Sequence, residues 1–183
     1  MKNLKGALPN ALTFINMSLG VLAILLVINS SSQMNLMIPA SMLIIIAALT
    51  DRFDGKVARM LNVSSDLGKE LDSLSDLVSF GVSPAIIAWK TSFIDIGIAG
   101  YIITLIFPIA GAYRLARYNI TPFENVFSGI PITIAGAFLA LNNIYNNFAI
   151  TNKRYTNVHT SITILFMLTL SFLMVSRIKI KKM

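Results

Sequence analysis

The sequence predicts an all-α integral membrane protein with six transmembrane helices and a functional site on the cytoplasmic side. Of the 183 residues, 55% are hydrophobic and only 13% are charged, and the mean hydropathy is +0.73. The apolar residues fall into six runs close to the length that crosses a bilayer. We therefore expect one membrane domain covering residues 1–183. The absence of cysteine excludes disulfides and thiol chemistry.

Each predicted helix follows from one apolar run and the polar break beside it. Pro9-Asn10 is expected to form a break before the first run, and the second run is expected to continue as a helix to about Leu61. Asp66 suits a helix N-terminus, and Pro108 predicts a kink. Residues Asn119 to Phe127 are predicted to form a loop. The runs are Ala11–Asn29, Met34–Thr50, Asp66–Trp89, Phe93–Tyr118, Ser128–Phe148 and Asn157–Ser176.

The positions of the basic residues predict the orientation. With six spans, both ends of the chain share a side with the loops after the second and fourth helices. That side holds twelve Lys and Arg, against three on the other side. By the positive-inside rule both termini face the cytoplasm, so we expect a multi-pass protein of the cell membrane. The net charge of +7 does not indicate nucleic-acid binding, because the basic residues form no single face.

Negative charge is concentrated between the second and third helices. Six of the eight Asp and Glu lie between Asp51 and Asp76. On a helix, Asp51 and Asp54 share one face, as do Asp72 and Asp76. Four converging carboxylates would repel one another unless divalent cations neutralised them, and oxygen ligands without His or Cys favour magnesium, manganese or calcium. The alternative is that these acids are helix caps and surface partners of nearby Lys and Arg.

The pattern of acidic and small residues resembles the signature of the CDP-alcohol phosphatidyltransferase family. The matching positions are Asp51, Asp54, Gly55, Ala58, Arg59, Gly68, Asp72 and Asp76. The resemblance covers the whole chain and implies six membrane helices, a cytoplasm-facing active site and a homodimer. It also implies a divalent cation, magnesium or manganese, held by Asp51, Asp54, Asp72 and Asp76.

Residues on either side of the signature resemble those of one group of enzymes within that family. The stretches around Ser64–Leu74 and Asp76–Ala85 resemble the CDP-diacylglycerol–serine O-phosphatidyltransferases, and so do Gly111–Asn119 and Phe127–Pro131. Relatives that use glycerol phosphate usually carry Lys after the last signature Asp, where this chain has Leu77. The resemblance implies transfer of a phosphatidyl group from CDP-diacylglycerol to the hydroxyl of L-serine, with release of CMP and with Asp76 as general base.

Further residues are candidates for binding the substrates. By resemblance, Gly55, Ala58, Arg59 and Gly68 line the nucleotide and pyrophosphate, together with Asn10 and Thr13, although an ordinary helix start also explains the last two. Arg114 and Arg117 share a helix face and are candidates for the acceptor carboxylate or a phosphate. Their alternative role is to anchor the helix to anionic lipid.

Two rival functions remain at this stage. The same donor could serve another alcohol, such as glycerol 3-phosphate or inositol phosphate. A small cation transporter could also use an Asp cluster, but its carboxylates should lie near the membrane midplane. Asp66 and Glu70 need no more than cap and surface-pair roles.

Overall fold

The structure is a computed structural model that describes residues 2–31, 35–61, 65–120, 126–177 and 179–181. Side chains are described for all of these except residues 2–9, 54–61, 126–128 and 179–181. Six helices make up most of the described chain, with two short strands near the end. They are α1 (Lys2–Asn29), α2 (Met37–Leu61), α3 (Asp66–Ile96), α4 (Ile98–Ile120), β1 (Val126–Ser128), α5 (Ile132–Thr151), α6 (Asn157–Val175) and β2 (Lys179–Lys181).

The first helix begins earlier than predicted. Pro9-Asn10 was expected to break the chain, but α1 runs from Lys2 to Asn29 without interruption. Proline has a backbone φ close to the helical value, so a helix can pass through it at the cost of one hydrogen bond. Helix α2 ends at Leu61 and α3 begins at Asp66, both as predicted.

The third helix is longer than predicted and is not uniformly α-helical. Two π-helical turns, Leu77–Val82 and Trp89–Phe93, interrupt its α-helical segments. The expected end at Trp89 is wrong, because the helical backbone continues to Ile96. Gly97, with φ of 66°, then ends it, since glycine adopts this left-handed conformation without steric cost. The fourth helix consequently begins at Ile98 and not at Phe93.

Helix α3 occupies the centre of the bundle. Its membrane-length window is 56% buried, against 28% for the corresponding windows of α1, α4 and α6. Its π-helical segments contact each of the other five helices. Phe80 and Phe93 of α3 are fully buried beside Phe107 of α4 and Leu139 of α5. The acids at the start of α3 are therefore held on a helix that contacts all the others and is more deeply buried than α1, α4 or α6.

Three serines of α3 bind the backbone of α1. The Ser75, Ser79 and Ser83 hydroxyls donate to the carbonyl oxygens of Thr13, Asn16 and Gly20 at 3.0, 2.8 and 2.9 Å. Side-chain hydrogen bonds of this kind join membrane helices where small residues let the backbones approach. A Cβ placed on Gly20 would lie 2.7 Å from the Ser79 Cα. Gly20 is therefore required for the close contact between α1 and α3.

We expect Gly20→Val to destabilise the protein, because the new side chain would push α1 away from α3 and break the serine contacts. Overpacking of this kind costs about 1–3 kcal/mol. Thermal unfolding in detergent would measure the loss as a lower midpoint. Ala99→Val, at an exposed position of α4, is the matched control and should leave the midpoint unchanged. Equal midpoints for the two variants would contradict the close packing.

Four helices are long and apolar enough to cross a membrane, judged on the described residues. They are Asn10–Asn29, Asp66–Ile96, Ile98–Ile120 and Asn157–Val175. Helix α5 is not among them and carries four asparagines. Their side chains bond within the bundle: Asn143 to the Pro84 carbonyl at 2.9 Å, Asn146 to Thr163 at 2.8 Å, and Asn142 to Thr163 at 3.1 Å, while Asn147 accepts from Asn35 at 2.6 Å. Each of these amides therefore has a protein partner for one of its polar atoms, as is usual for polar groups between membrane helices, although the buried Asn143 Oδ1 has no hydrogen-bond partner among the described residues.

A short antiparallel ribbon lies beyond the helices. Strand β1 pairs with β2, with Val126 opposite Lys181 and Ser128 opposite Lys179. The predicted loop from Asn119 to Phe127 is thus helical at its start and a strand at its end, and residues 121–125 lie outside the described part. Gly129, with φ of 77°, follows β1, and a Cβ there would be 2.6 Å from the Met174 carbonyl oxygen. The turn that follows β1 therefore packs against the C-terminal end of α6.

Candidate functional site

Three aspartates from two helices meet at one end of the bundle, which we call the acidic end. One carboxylate oxygen each from Asp51 of α2 and from Asp72 and Asp76 of α3 lie within 4.8 Å of one another. Asp76 is buried, at 9% exposure, and the other two are half-buried. The meeting of Asp51 with the same-face pair Asp72 and Asp76 was predicted from their spacing.

The donor set fits a hard divalent cation. It contains only carboxylate oxygens, close enough together to share one ion, and oxygen ligands suit magnesium, manganese and calcium. Three carboxylates this close would repel strongly without a counter-charge. Together these features are consistent with a metal-assisted reaction, and they do not select among those cations.

Asp51 has a partner that sequence reasoning missed. The Thr133 hydroxyl, near the start of α5, donates to Asp51 Oδ2 at 3.2 Å. Asp51 follows the predicted second span, and burial raises the pKa of its carboxyl group, while the Thr133 hydrogen bond lowers it. Thr133 is 82 residues away along the chain. The only sign of this contact in the sequence was a hydroxyl residue near the start of the predicted fifth span, which was expected to begin on the same side of the membrane as Asp51.

The fourth predicted metal ligand, Asp54, has a side chain outside the described part. The same holds for three predicted nucleotide-binding residues, Gly55, Ala58 and Arg59. The structure describes the backbone here as the last turns of α2, which ends at Leu61. The roles predicted for these four residues stay predictions.

The remaining nucleotide-binding candidates lie together where α1 and α3 meet. A Cβ on Gly68 would be 3.4 Å from Asn10 Oδ1 and 3.0 Å from Ser65 Oγ. Thr13 is buried and its carbonyl accepts from Ser75, directly beside Asp76 in the chain. The structure therefore brings Asn10, Thr13 and Gly68 to the edge of the acidic cluster.

The two predicted acceptor-binding arginines have different surroundings. Arg114 is only 6% exposed, with its guanidinium carbon 4.9 Å from the centre of the Tyr118 ring. It lies close enough to Asp76 for their charges to interact. Its Nε is buried and has no hydrogen-bond partner among the described residues. Arg114 is therefore a buried cation beside the acids with a free donor.

Arg117 instead binds the end of another helix. Its Nη1 donates to the Val175 carbonyl at 2.9 Å and its Nη2 to the Ser176 carbonyl at 3.4 Å. These carbonyls lack helical partners because α6 ends there, and an arginine is a common way to satisfy them. Arg117 thus fastens α4 to the C-terminal end of α6.

The predicted bystander Asp66 behaves as expected. It lies 3.8 Å from Lys69 in an exposed ion pair. Ser65 caps the helix, because its hydroxyl accepts a hydrogen bond from the Gly68 backbone N–H at 3.0 Å. Glu70, the second predicted bystander, is bonded to Asn119 of α4 at 3.2 Å.

Known proteins similar to this chain share a common activity in their names. A CDP-diacylglycerol–serine O-phosphatidyltransferase of Helicobacter pylori (strain ATCC 700392 / 26695) is 36% identical over 144 residues, which are 76% of this chain and 58% of that protein. One of Bacillus subtilis (strain 168) is 41% identical over 92 residues, 50% of this chain and 52% of that protein.

An archaeal relative carries a related name. The archaetidylserine synthase of Methanothermobacter thermautotrophicus (strain ATCC 29096 / DSM 1053 / JCM 10044 / NBRC 100330 / Delta H) is 36% identical over 137 residues, 73% of this chain and 56% of that protein. The chain therefore spans little more than half the length of these curated relatives.

A protein-family model described as CDP-alcohol phosphatidyltransferase matches residues 6–180, nearly the whole chain. The match includes the three aspartates that meet at the acidic end, as well as Arg114. The chain belongs to the CDP-alcohol phosphatidyltransferase family.

Proposed function

We propose that this chain transfers the phosphatidyl group of CDP-diacylglycerol to the hydroxyl of L-serine, giving phosphatidylserine and CMP. The observation that carries the proposal is the convergence of Asp51, Asp72 and Asp76 beside the buried Arg114. The acids can hold a cation against the pyrophosphate of the donor, and the arginine can bind the acceptor carboxylate. The names of the relatives support this choice of substrates.

Asp51, Asp54, Asp72 and Asp76 would hold the divalent cation, magnesium or manganese. When bound, the cation neutralises pyrophosphate oxygens and stabilises the leaving CMP. Asn10, Thr13 and Gly68 line the adjoining edge of the site, and we assign them to the nucleotide and pyrophosphate with Gly55, Ala58 and Arg59. A side chain at Gly68 would occupy space next to Asn10, so glycine keeps this edge open to the donor.

Asp76 is assigned as the general base. The serine hydroxyl oxygen forms a bond to the phosphatidyl phosphorus as the bond from phosphorus to the CMP oxygen breaks. The hydroxyl proton passes to the Asp76 carboxylate. An ordinary Asp, with a pKa of about 3.9, is a weak base, so the transfer occurs as the hydroxyl becomes acidic in the transition state.

The proposed orientation follows from the charges at the helix ends. We assign six spans to the cell membrane, with both ends of this chain and the acidic end facing the cytoplasm, where serine and CMP are soluble. The twelve-to-three distribution of Lys and Arg supports this orientation. A homodimer is part of the proposal and rests on the family resemblance alone.

The acceptor is tested with purified protein, CDP-diacylglycerol and a panel of alcohols. CMP release and the lipid product are measured with L-serine, glycerol 3-phosphate and inositol phosphate, each with Mg²⁺ or Mn²⁺ present. We expect release with serine only. Release with another alcohol and none with serine would overturn the choice of acceptor. Metal flux into proteoliposomes without CMP release would favour a transporter instead.

Arg114→Ala is expected to raise the KM for serine, because a charge-assisted hydrogen bond is lost. Such bonds contribute about 1.5–3 kcal/mol, so the increase should be about tenfold to a hundredfold. Steady-state kinetics with varied serine would measure it. Arg114→Lys keeps the positive charge but loses the planar guanidinium group, so its KM for serine should lie between those of Arg114→Ala and the wild type.

Arg117→Ala is the matched control for Arg114→Ala. It should lower the thermal midpoint, because two carbonyls at the end of α6 lose their donor, and leave the KM for serine unchanged. A rise in KM for Arg117→Ala alone would reverse the two assignments.

A further inference from the structure

An asparagine of α1 is fully buried and has no hydrogen-bond partner for its side chain. Asn16 is 0% exposed, and neither its Oδ1 nor its Nδ2 has a partner among the described residues. Its backbone carbonyl accepts from the Ser79 hydroxyl at 2.8 Å. The family signature does not include Asn16. Because a buried amide without partners is costly, a ligand or a water is needed to complete it.

The packing of α1 on α3 sets the depth of Asn16 in the bundle. The two helices run in the same direction, because Ser75 and Ser79 bind carbonyls in ascending order along α1. Gly20 lies directly opposite Ser79, since a Cβ on Gly20 would be 2.7 Å from the Ser79 Cα. Asn16 precedes Gly20 by one helical turn, so it lies at about the level of Ser75. The next residue of α3 is Asp76, only about 1.5 Å further along the helix axis.

The helical phase turns the Asn16 side chain to the same side as Asp76. With about 100° between successive residues, Asn16 is rotated by about 40° from Gly20, which faces α3. Asp76 is rotated by roughly 60° from Ser79, which faces α1, and in the opposite sense. For neighbouring helices that run in the same direction, opposite rotations turn both side chains to one side of the contact. The unpaired amide therefore points toward the acidic cluster, next to Asp76.

Arg114 approaches Asp76 from another helix. Asn119 of α4 donates to Ser73 Oγ of α3 at 3.1 Å, so Ser73 faces α4. Asp76 lies about midway around α3 between Ser73 and Ser79, and its charge interacts with that of Arg114. Arg114 Nε is also buried without a partner among the described residues. Asp76 is therefore flanked by two side chains with unpaired polar atoms, a neutral amide from α1 and a cation from α4.

These three groups match the functional groups of serine. The proposed function assigns the serine hydroxyl to Asp76 and the carboxylate to Arg114, and it leaves the ammonium group without a partner. The ammonium and carboxylate groups share one carbon atom, and the hydroxyl is on the next. A hydrogen bond spans about 3 Å, so one serine molecule held at Asp76 is large enough to reach the side chains on both flanks.

We propose that the Asn16 side chain binds the ammonium group of the acceptor through Oδ1 and thereby selects amino acids over hydroxy acids. The inference rests on the proposed function and concerns the same site. An amide oxygen accepts a charge-assisted hydrogen bond from an ammonium group. It does so without a further negative charge, which would add to the repulsion among Asp51, Asp72 and Asp76.

A purely structural role makes a different prediction. If Asn16 only held a buried water between the helices, its removal would affect every acceptor alike. If Asn16 binds the ammonium group, the loss is confined to acceptors that carry one. The compound 3-hydroxypropionate separates these cases, because it equals serine without the amino group. Its binding is measured as competitive inhibition of phosphatidylserine formation from labelled serine.

The experiment compares Asn16→Leu with Asn146→Leu in the full chain. Both variants remove a buried amide, but Asn146 donates to Thr163 at 2.8 Å and to Ser92 at 3.3 Å. The KM for L-serine, the KM for CDP-diacylglycerol, the inhibition constant of 3-hydroxypropionate and the thermal midpoint are measured with Mg²⁺ present. Asn16→Ala repeats the test with a side chain that is too small to overpack the site.

For Asn16→Leu we expect the KM for serine to rise about tenfold or more, because a hydrogen bond to a charged group is lost. The inhibition constant of 3-hydroxypropionate and the KM for CDP-diacylglycerol should stay nearly unchanged. The thermal midpoint should not fall, since the lost amide has no partner among the described residues. Asn146→Leu should show the reverse, a lower midpoint with an unchanged KM for serine. Arg114→Ala should weaken both serine and 3-hydroxypropionate, because both carry the carboxylate.

Three results would overturn the assignment of Asn16. They are an unchanged KM for serine in both Asn16 variants, an equal loss for serine and 3-hydroxypropionate, and a rise confined to the KM for CDP-diacylglycerol. A wild-type protein that releases no CMP with serine would overturn the proposed function itself, and the role of Asn16 would fall with it.

Discussion

Asp76→Asn should lose at least about a hundredfold in CMP release while the protein still folds. A general base contributes about 10²- to 10⁴-fold to a rate, and this variant also removes a predicted metal ligand. The substitution keeps the size of the side chain, and it relieves repulsion with Asp51 and Asp72, whose oxygens lie within 4.8 Å. Single-turnover CMP release would measure the rate, and thermal unfolding would measure the fold.

Asp66→Asn serves as the control for Asp76→Asn, because it alters an exposed acid on the same helix. It should retain full activity. Activity near that of the wild type in Asp76→Asn would refute the general-base role. A much lower thermal midpoint in Asp76→Asn would instead assign Asp76 a structural role. Asp76→Glu would then be needed to separate the effect of the negative charge from that of side-chain packing.

Removal of divalent cations should abolish CMP release entirely. Without a counter-charge, the acids at the acidic end would face a doubly anionic pyrophosphate, which they repel. Addition of Mg²⁺ or Mn²⁺ after EDTA treatment should restore the rate, and the two titrations would show which cation is preferred. Full activity in EDTA would contradict the metal-assisted reaction.

Substitution of a single predicted ligand should weaken binding of the cation without abolishing it. Changes to partners of metal ligands typically cost 10- to 100-fold in affinity, and loss of a ligand should cost at least about tenfold. Asp72→Asn and Asp51→Asn should therefore shift the Mg²⁺ titration to higher concentration. Mn²⁺ binding followed by electron paramagnetic resonance would report the same shift without turnover. Equal titrations for Asp72→Asn and Asp66→Asn would exclude Asp72 as a ligand.

Features that depend on neighbours along one helix were predictable from the sequence. The spacing of Asp72 and Asp76 predicts a shared face, and the structure brings them to Asp51 as expected. The start of α3 at Asp66 was predicted from another local preference, because Asp is favoured at the N-terminus of a helix. The end of α3 was predicted wrongly, because the third apolar run was expected to end at Trp89, while the helix continues until the positive φ of Gly97 stops it.

Contacts between distant helices could not be read from spacing. Arg114 and Arg117 share a face of α4, so they were predicted to act together, but the end of α6 supplies carbonyls to Arg117 alone. Thr133 binds Asp51 across 82 residues, and Asn119 binds Glu70 across 49. Such pairs depend on how the helices pack, which a local pattern does not contain.

The π-helical turns of α3 affect how substitutions along this helix should be interpreted. Leu77–Val82 begins directly after Asp76, and its wider turn advances the backbone by about one residue relative to an α-helix. A helical wheel drawn from Asp72 with a uniform period therefore assigns residues beyond Val82 to a face rotated by about 100°. In a tryptophan scan, the pattern of tolerated positions should shift phase once at this turn and again after Trp89. Deleting one residue between Leu77 and Val82 should remove the extra residue of this turn and restore an unbroken α-helical period, while the rest of α3 keeps its orientation relative to the aspartates.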